Sequence, residues 1–339
     1  MSQPSPQPAV LPGPYLSVVV PVYNEVENLP TLHSRLLQAL GGLGRSFELL
    51  YVDDGSHDGS QALLEEFTLG PAPVRAVFFK RNFGQTAALT AGIDHARGDI
   101  IVTLDADLQN DPADIIRLLA RLDEGFDVVS GWRKQRQDNR FLRTIPSNAA
   151  NRLISLVTGL PLHDYGCTLK AYRRAVFDEV RLYGEMHRFI PAYAHWAGAR
   201  VSELEVAHHA RTAGSSKYGI SRTLKVLLDL MTMTFLQSYS TKPLYVFGGF
   251  AALMLALAGA TGAFIVVRRL LFEGVWMSPL ILVTAVLSVG ALQALLMGLL
   301  AEMLVRTYHE SQGKPTYALR AVLPADSPGP EAPGAANGP

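Results

Sequence analysis

Two aspartates set the chemistry this chain can do. In Asp99-Ile100-Ile101-Val102-Thr103-Leu104-Asp105-Ala106-Asp107-Leu108-Gln109 an apolar run ends abruptly in Asp-x-Asp. That pattern predicts a buried strand whose carboxyl end presents two carboxylates. Hard oxygen donors of this kind suit Mg²⁺ or Mn²⁺, ions that keep some waters and hold a substrate phosphate. In open α/β sheets, ligands gather at the carboxyl ends of the strands. Two earlier runs end in the same way. Phe47-Glu48-Leu49-Leu50-Tyr51-Val52 leads into Asp53-Asp54-Gly55-Ser56, and Ser17-Val18-Val19-Val20-Pro21-Val22-Tyr23 leads into Asn24-Glu25. Three buried strands therefore point polar groups at one edge. Gly55 allows a tight turn there. Asp58 is predicted to cap the following helix, with Gln61 as its capping partner.

The elements that must position these residues alternate. Strands are expected at 17–23, 47–53, 74–79, 99–105 and 127–131, with helices near 27–40, 58–67, 84–96 and 112–124. Such alternation implies a mostly parallel sheet covered by helices on both faces. The stretch from Lys134 to Gly159 is polar and basic and reads as a loop and a helix; residues 160–210 add short strands and another helix. The turn after the first strand reads Val22-Tyr23-Asn24-Glu25-Val26-Glu27, without the Gly-x-Gly-x-x-Gly of a dinucleotide-dependent oxidoreductase. Lys and Arg total 30, as do Asp and Glu, so global charge gives no argument for nucleic acid. The single cysteine, Cys167, rules out an intrachain disulfide and reads as a small buried hydrophobe. His208 and His209 are expected in a strand, and a histidine pair without a third ligand points only weakly to zinc.

The chain then changes character. Leu244–Val267 and Ser278–Ala301 are each 24 residues without a charge, long enough to cross a hydrocarbon core. That core is about 30 Å thick. The short link Arg268–Met277 makes them a hairpin, and Tyr245, Trp276 and Tyr308 sit near the span ends, where aromatic belts form. Arg222, Lys225 and Lys242 precede the first span and Arg306, Lys314 and Arg320 follow the second, against Arg268 and Arg269 between them. This excess places both termini and the catalytic domain in the cytoplasm, and the chain in the inner (plasma) membrane. Leu224, Leu227, Leu228, Met231 and Phe235 recur at helical spacing, as in a helix lying in the interface or packed on the soluble domain. The expected division is a disordered N-terminus at 1–14 without a signal peptide, a catalytic domain at 15–219, an interface helix and linker at 220–242, a transmembrane hairpin at 243–306, and a cytoplasmic, largely disordered tail at 307–339.

Val20-Pro21-Val22-Tyr23-Asn24-Glu25, Val52-Asp53-Asp54-Gly55-Ser56 and Leu104-Asp105-Ala106-Asp107-Leu108-Gln109 resemble the motifs of family-two inverting glycosyltransferases with the Rossmann-like GT-A fold. Asn82-Phe83-Gly84-Gln85, Arg136-Gln137-Asp138, the run from Asp164 to Arg174, Ser215-Ser216-Lys217-Tyr218 and the C-terminal hairpin narrow the likeness. Together they resemble the polyprenyl-phosphate glycosyltransferases, a group that includes the dolichol-phosphate mannose synthases and, nearest, the undecaprenyl-phosphate formamido-arabinose transferases. The likeness covers residues 15–320, and its strength lies in the order and spacing of motifs that are singly weak.

The resemblance implies transfer of a sugar from a nucleotide-diphosphate sugar to a polyprenyl phosphate. Mg²⁺ or Mn²⁺ on Asp105, Asp107 and Gln109 would neutralise the departing diphosphate. Pro21, Tyr23, Glu25 and Asp54 would line the base and ribose, with Asp53 either beside them or supporting the turn. Asp164 matches a position often proposed as a base and is expected instead to orient acceptor or sugar, or to form a turn. The basic loop supplies Arg133, Lys134, Arg136, Arg140 and Arg143, of which the likeness favours Arg133, Arg143 and Ser147 as the cradle of the acceptor phosphate; Arg211 and Lys217 are further candidates. His187-Arg188-Phe189-Ile190-Pro191 resembles a loop near the active site. A processive polysaccharide synthase would carry Gln-x-x-Arg-Trp and more spans, and a non-catalytic partner protein would not need both acid pairs. Sugar, nucleotide and homo-oligomer formation are not readable from the residues.

Overall fold

The computed structural model describes residues 13–134, 145–179, 186–210 and 318–324, with isolated helical positions between 230 and 307. The chain divides into two units, one of residues 1–223 with 316–339, the other of residues 224–315.

The first unit is a mixed eight-stranded sheet with helices on both faces. In chain order it holds β1 (Leu16–Val22), α1 (Leu29–Gly41), β2 (Phe47–Asp53), α2 (Ser60–Leu69), β3 (Val74–Phe79), α3 (Gln85–His95), β4 (Ile100–Thr103), α4 (Asp114–Asp123) and β5 (Val128–Trp132). Then come α5 (Ile145–Thr158), β6 (Lys170–Arg173), α6 (Val176–Glu179), a 3₁₀ turn at Met186–Phe189, α7 (Ile190–Trp196), β7 (Val201–Glu205) and β8 (Leu319–Leu323). Neighbours run β7-β5-β6-β4-β1-β2-β3-β8. The centre, β4-β1-β2-β3, is parallel, as the alternation requires; β6 and β8 enter antiparallel to their neighbours.

Both faces are covered, so the strands read as continuous apolar runs. On one face Val18, Val20 and Val22 of β1 meet Leu29, Leu32 and Leu36 of α1 and Leu118 and Leu122 of α4. On the other, Val19, Leu50 and Val52 meet Ala88 and Ala91 of α3, and Tyr172 and Ile190 extend that layer.

Three expectations change. Asp58 does not cap α2: Gly59 holds the cap position at φ 98°, and no side chain caps the helix. Asp58 instead accepts hydrogen bonds from the Val26 amide (3.0 Å) and the Ser60 amide (3.0 Å), tying the first turn to the second. Gln61 turns away to Asp53. The expected strand at 208–209 ends at Glu205; beyond it His208 makes only an isolated antiparallel bridge to Asn110. A strand that was not expected, β8, pairs with β3 from Ala76↔Leu323 to Phe79↔Leu319.

Among the described residues no helix is long and apolar enough to cross a membrane. The uncharged stretches 244–267 and 278–301 lie, apart from isolated positions, outside the described residues, as do residues 220–229 of the interface helix. In the second unit, helical positions Leu282, Ala285, Val289, Gln293, Leu300 and Leu304 are exposed.

Candidate active site

The carboxyl ends of β1, β2 and β4 bring the predicted acids to one edge. Their loops are laced together. The Asp54 amide donates to the Val22 carbonyl (2.8 Å), the Asn24 amide to Ser56 Oγ (2.9 Å), and the His57 amide to Asn24 Oδ1 (2.9 Å). Gly55 sits at φ 72°, and a Cβ there would lie 2.6 Å from the Arg81 carbonyl carbon, so the turn demands glycine twice over. Pro21 in β1 and Tyr23 and Glu25 on the loop after it are half-buried, and Glu25 Oε2 accepts from Asn28 Nδ2 (2.6 Å).

The second acid pair divides its work. Asp53 is fully buried and accepts from the Ser56 amide and from Gln61 Nε2 (2.8 Å). It supports the turn. Asp54 faces the Asn82–Gln85 segment and accepts from the Phe83 (2.6 Å) and Gly84 (2.9 Å) amides. Burial, with the charge of Asp53 adding, outweighs those two bonds and pushes its carboxyl up to about 6.

Asp105 and Asp107 follow β4. Asp105 Oδ1 accepts from Gln85 Nε2 (2.7 Å), and the Thr168 side chain bonds the same carboxylate. Burial first, and then the charge of Asp107, pushes Asp105 up to about 6. Two acids that raise proton affinity in this way form the arrangement that a divalent cation relieves. Leu108, between Asp107 and Gln109, has φ 60°. A branched side chain in that region costs about 1–3 kcal/mol and is held only where the surroundings enforce it. Here the Gln109 amide donates to Asp107 Oδ1 (3.2 Å) and the His209 amide to the Gln109 carbonyl (2.8 Å). Among the described residues no group of three or more His, Cys, Asp or Glu gathers as a metal site. Two carboxylates and the Gln109 amide fit Mg²⁺ or Mn²⁺, which leave coordination positions to water and phosphate oxygens.

Arg133, at the end of β5, and Asp164 form a buried pair. Nε donates to Asp164 Oδ2 (2.7 Å), Nη2 to Oδ1 (3.0 Å), and the Arg133 amide again to Oδ2 (3.3 Å). The aspartate side chain is 1% exposed. The sequence put these residues in separate roles; the structure joins them. Ser147 lies in the first turns of α5. Arg143, Arg211 and Lys217 lie outside the described residues.

Several residues entered the sequence reading only as members of motifs, and Glu203 not at all. Lys170, the first residue of β6, is buried, donates to the Tyr165 carbonyl (3.1 Å), and is pushed down to about 8 by burial. With Thr103, Thr168, His187 and Arg188 it lines a small recess beside Asp105. His187 sits within 2.8 Å of Thr86 Oγ1 on α3. Glu203 of β7 holds the chain at Asp164. Lys170 and Gln85 were visible only as parts of motifs. Cys167 is buried, and burial pushes its thiol up to about 11, as its reading as a small hydrophobe implies.

An acid pair at the end of the fourth strand of a mixed α/β sheet, close to a small recess lined by Lys170 and Arg188, is a site that could hold a divalent cation against an anionic substrate. Residues 17–181 match the family model of glycosyl transferase family 2. Dodecaprenyl-phosphate galacturonate synthase of Rhizobium johnstonii is 42% identical over 315 residues, covering 91% of this chain and 93% of that protein. Undecaprenyl-phosphate 4-deoxy-4-formamido-L-arabinose transferase of Klebsiella pneumoniae subsp. pneumoniae is 40% identical over 312 residues, covering 91% and 93%. The protein of that name from Pseudomonas aeruginosa is 41% identical over 318 residues, covering 91% of each. The chain belongs to glycosyl transferase family 2 and is a glycosyltransferase.

Proposed function

We propose that this enzyme transfers a sugar from a nucleotide-diphosphate sugar to a polyprenyl phosphate, with inversion, at a membrane surface. The observation that carries the reading is the single edge on which Asp54, Asp105, Asp107 and the Arg133–Asp164 pair meet, in a chain about 40% identical over nearly its full length to two kinds of polyprenyl-phosphate sugar enzyme. Pro21, Tyr23, Glu25 and Asp54 hold the nucleotide, and Asp53 keeps the turn in shape. Asp105, Asp107 and Gln109 would hold Mg²⁺ or Mn²⁺, which supplies positive charge for the departing diphosphate.

The acceptor phosphate needs no base. Its second pKa is about 6, so it is largely dianionic near neutral pH. One of its oxygens bonds the anomeric carbon while the bond to the diphosphate breaks and the electron pair leaves with the nucleotide. Asp164, already committed to Arg133, has no proton to take. Arg133, with Arg143 and Ser147, meets the acceptor phosphate, and Arg211 and Lys217 add charge. Membrane contact is supported by the second unit. Among its described positions Leu271, Leu282, Ala285, Val289, Leu300 and Leu304 are exposed, with Gln293 and Thr307 the polar exceptions; a surface so largely apolar suits lipid better than water. The two uncharged stretches are read as a transmembrane hairpin with the catalytic domain in the cytoplasm.

The test is transfer from a panel of labelled nucleotide sugars, a galacturonate and a formamido-arabinose donor among them, to undecaprenyl phosphate. Label should enter the organic phase with one donor, need Mg²⁺ or Mn²⁺, and stop in EDTA. Label that moves only to water or to a soluble glycan would overturn the reading.

A further inference from the structure

Glu203 reaches from β7 to the turn that carries Asp164. Its carboxylate accepts from the His163 amide (2.9 Å to Oε1), the Asp164 amide (3.0 Å to Oε1) and His163 Nδ1 (2.7 Å to Oε2). The glutamate side chain is only 12% exposed, whereas the His163 ring is 65% exposed. A nearly buried carboxylate taking two successive main-chain N–H groups is a clamp on the backbone rather than a surface ion pair. The clamped residue is the one whose side chain grips Arg133. Asp164 takes the Nε–Nη2 edge of the guanidinium, which leaves the Nη1–Nη2 edge to face an anion.

The packing leaves little room for another arrangement. Gly166 donates its amide to Asp164 Oδ1 (3.1 Å), and a Cβ there would lie 3.2 Å from Arg133 Nη2 and 3.5 Å from Asp164 Oδ1. On the other side, Trp132 stacks on His163 at 4.3 Å. Three segments, from β5, the 163–166 turn and β7, thus set one guanidinium.

We propose that Glu203 and Asp164 are positioning residues that act in series: Glu203 fixes the turn, Asp164 fixes Arg133, and Arg133 presents its remaining edge to the acceptor phosphate. The last link rests on the acceptor role proposed for Arg133; the first two do not.

The test uses the full-length enzyme in detergent, with undecaprenyl phosphate and the nucleotide sugar varied separately. Glu203→Ala and Asp164→Asn should raise the KM for the lipid about tenfold, with kcat and the KM for the nucleotide sugar within about twofold. Glu203→Gln, which keeps the shape and one acceptor oxygen, should fall between, so a fold-disrupting Glu203→Ala would not remove the test. Asp164→Glu should recover part of the loss. Added to Arg133→Ala, Glu203→Ala should cause no further loss, because residues in series share one effect. Unchanged lipid KM in both Glu203 variants, or losses that multiply in the double variant, would overturn the series. If Arg133→Ala instead weakens the nucleotide sugar and Glu203→Ala follows it, the series stands and the acceptor reading falls.

Discussion

The two ends of the parallel strands bury acids in different ways. At the amino ends of β1, β2 and β3, Glu48 accepts from Ser17 Oγ (2.5 Å), the Arg97 amide (2.7 Å) and Arg75 Nη1 (3.3 Å). Arg75 also reaches the His95 carbonyl (2.7 Å), and the Gly98 amide reaches Ser17 Oγ (2.8 Å). Every strand in this knot contributes a partner of the other sign or polarity. At the carboxyl ends, Asp53 faces Asp54 and Asp105 faces Asp107, and both Asp54 and Asp105 are pushed up to about 6. Like charges are set side by side at one end of a sheet whose other end matches each charge. Glu48, matched by the protein, holds the fold; Asp105 and Asp107, set against each other, are the acids proposed to hold a cation.

The comparison breaks most clearly on double substitution. Asp105→Asn with Asp107→Asn should lower kcat/KM by about a thousandfold or more, the scale of a lost metal and its charge stabilisation. The thermal midpoint should hold or rise, because repulsion is removed. Transfer that survives would mean that the open edge is not the reacting one. Glu48→Ala should do the reverse. Leaving Arg75 buried without its carboxylate should cost about 3–5 kcal/mol of stability, while kcat/KM per folded molecule stays within about twofold.

Acidity sharpens the contrast. Asp54 titrates near 6 in the folded chain, against 3.8 for an unperturbed aspartate. Between these pH values the folded chain keeps a proton that the unfolded chain has released. Stability therefore falls as pH rises from about 4 to about 6, and is level above, by on the order of 2–3 kcal/mol. The fall in denaturation midpoint across that range should become shallower in Asp54→Asn, with the remainder belonging to Asp105, which is pushed up to about 6 as well. The smallest effect belongs to Arg320, whose Nη1 donates to Gln61 Oε1 (2.7 Å) at the surface. Arg320→Ala should cost at most about 1 kcal/mol and leave kcat/KM unchanged; a larger loss of activity would show that Gln61 carries the effect on to Asp53.

What was legible followed from local physics. The central strands were readable because burial on two faces leaves no polar residue to interrupt Val18–Val20 or Leu49–Val52. The edge acids were readable because Asp105 and Asp107 end such a run. The cap on α2 was misread because Asp58 and Gln61 have better partners in Val26 and Asp53, which only the fold brings near. Arg133 was visible as a cation and Asp164 as an acid, but not as a pair, since 31 residues separate them. Glu203 carried no signal at all: a glutamate in a short edge strand looks like any solvated acid until its oxygens are seen on the 163–164 backbone.

β8 has a consequence for how the molecule is made. Its partner Phe79 is synthesised some 240 residues before Leu319. At about 5–20 residues per second, the outer edge of β3 waits on the order of 10–50 seconds at the ribosome with its hydrogen-bonding groups unpaired. A nascent sheet so exposed is open to pairing with another chain until Ala318 and β8 arrive to close it.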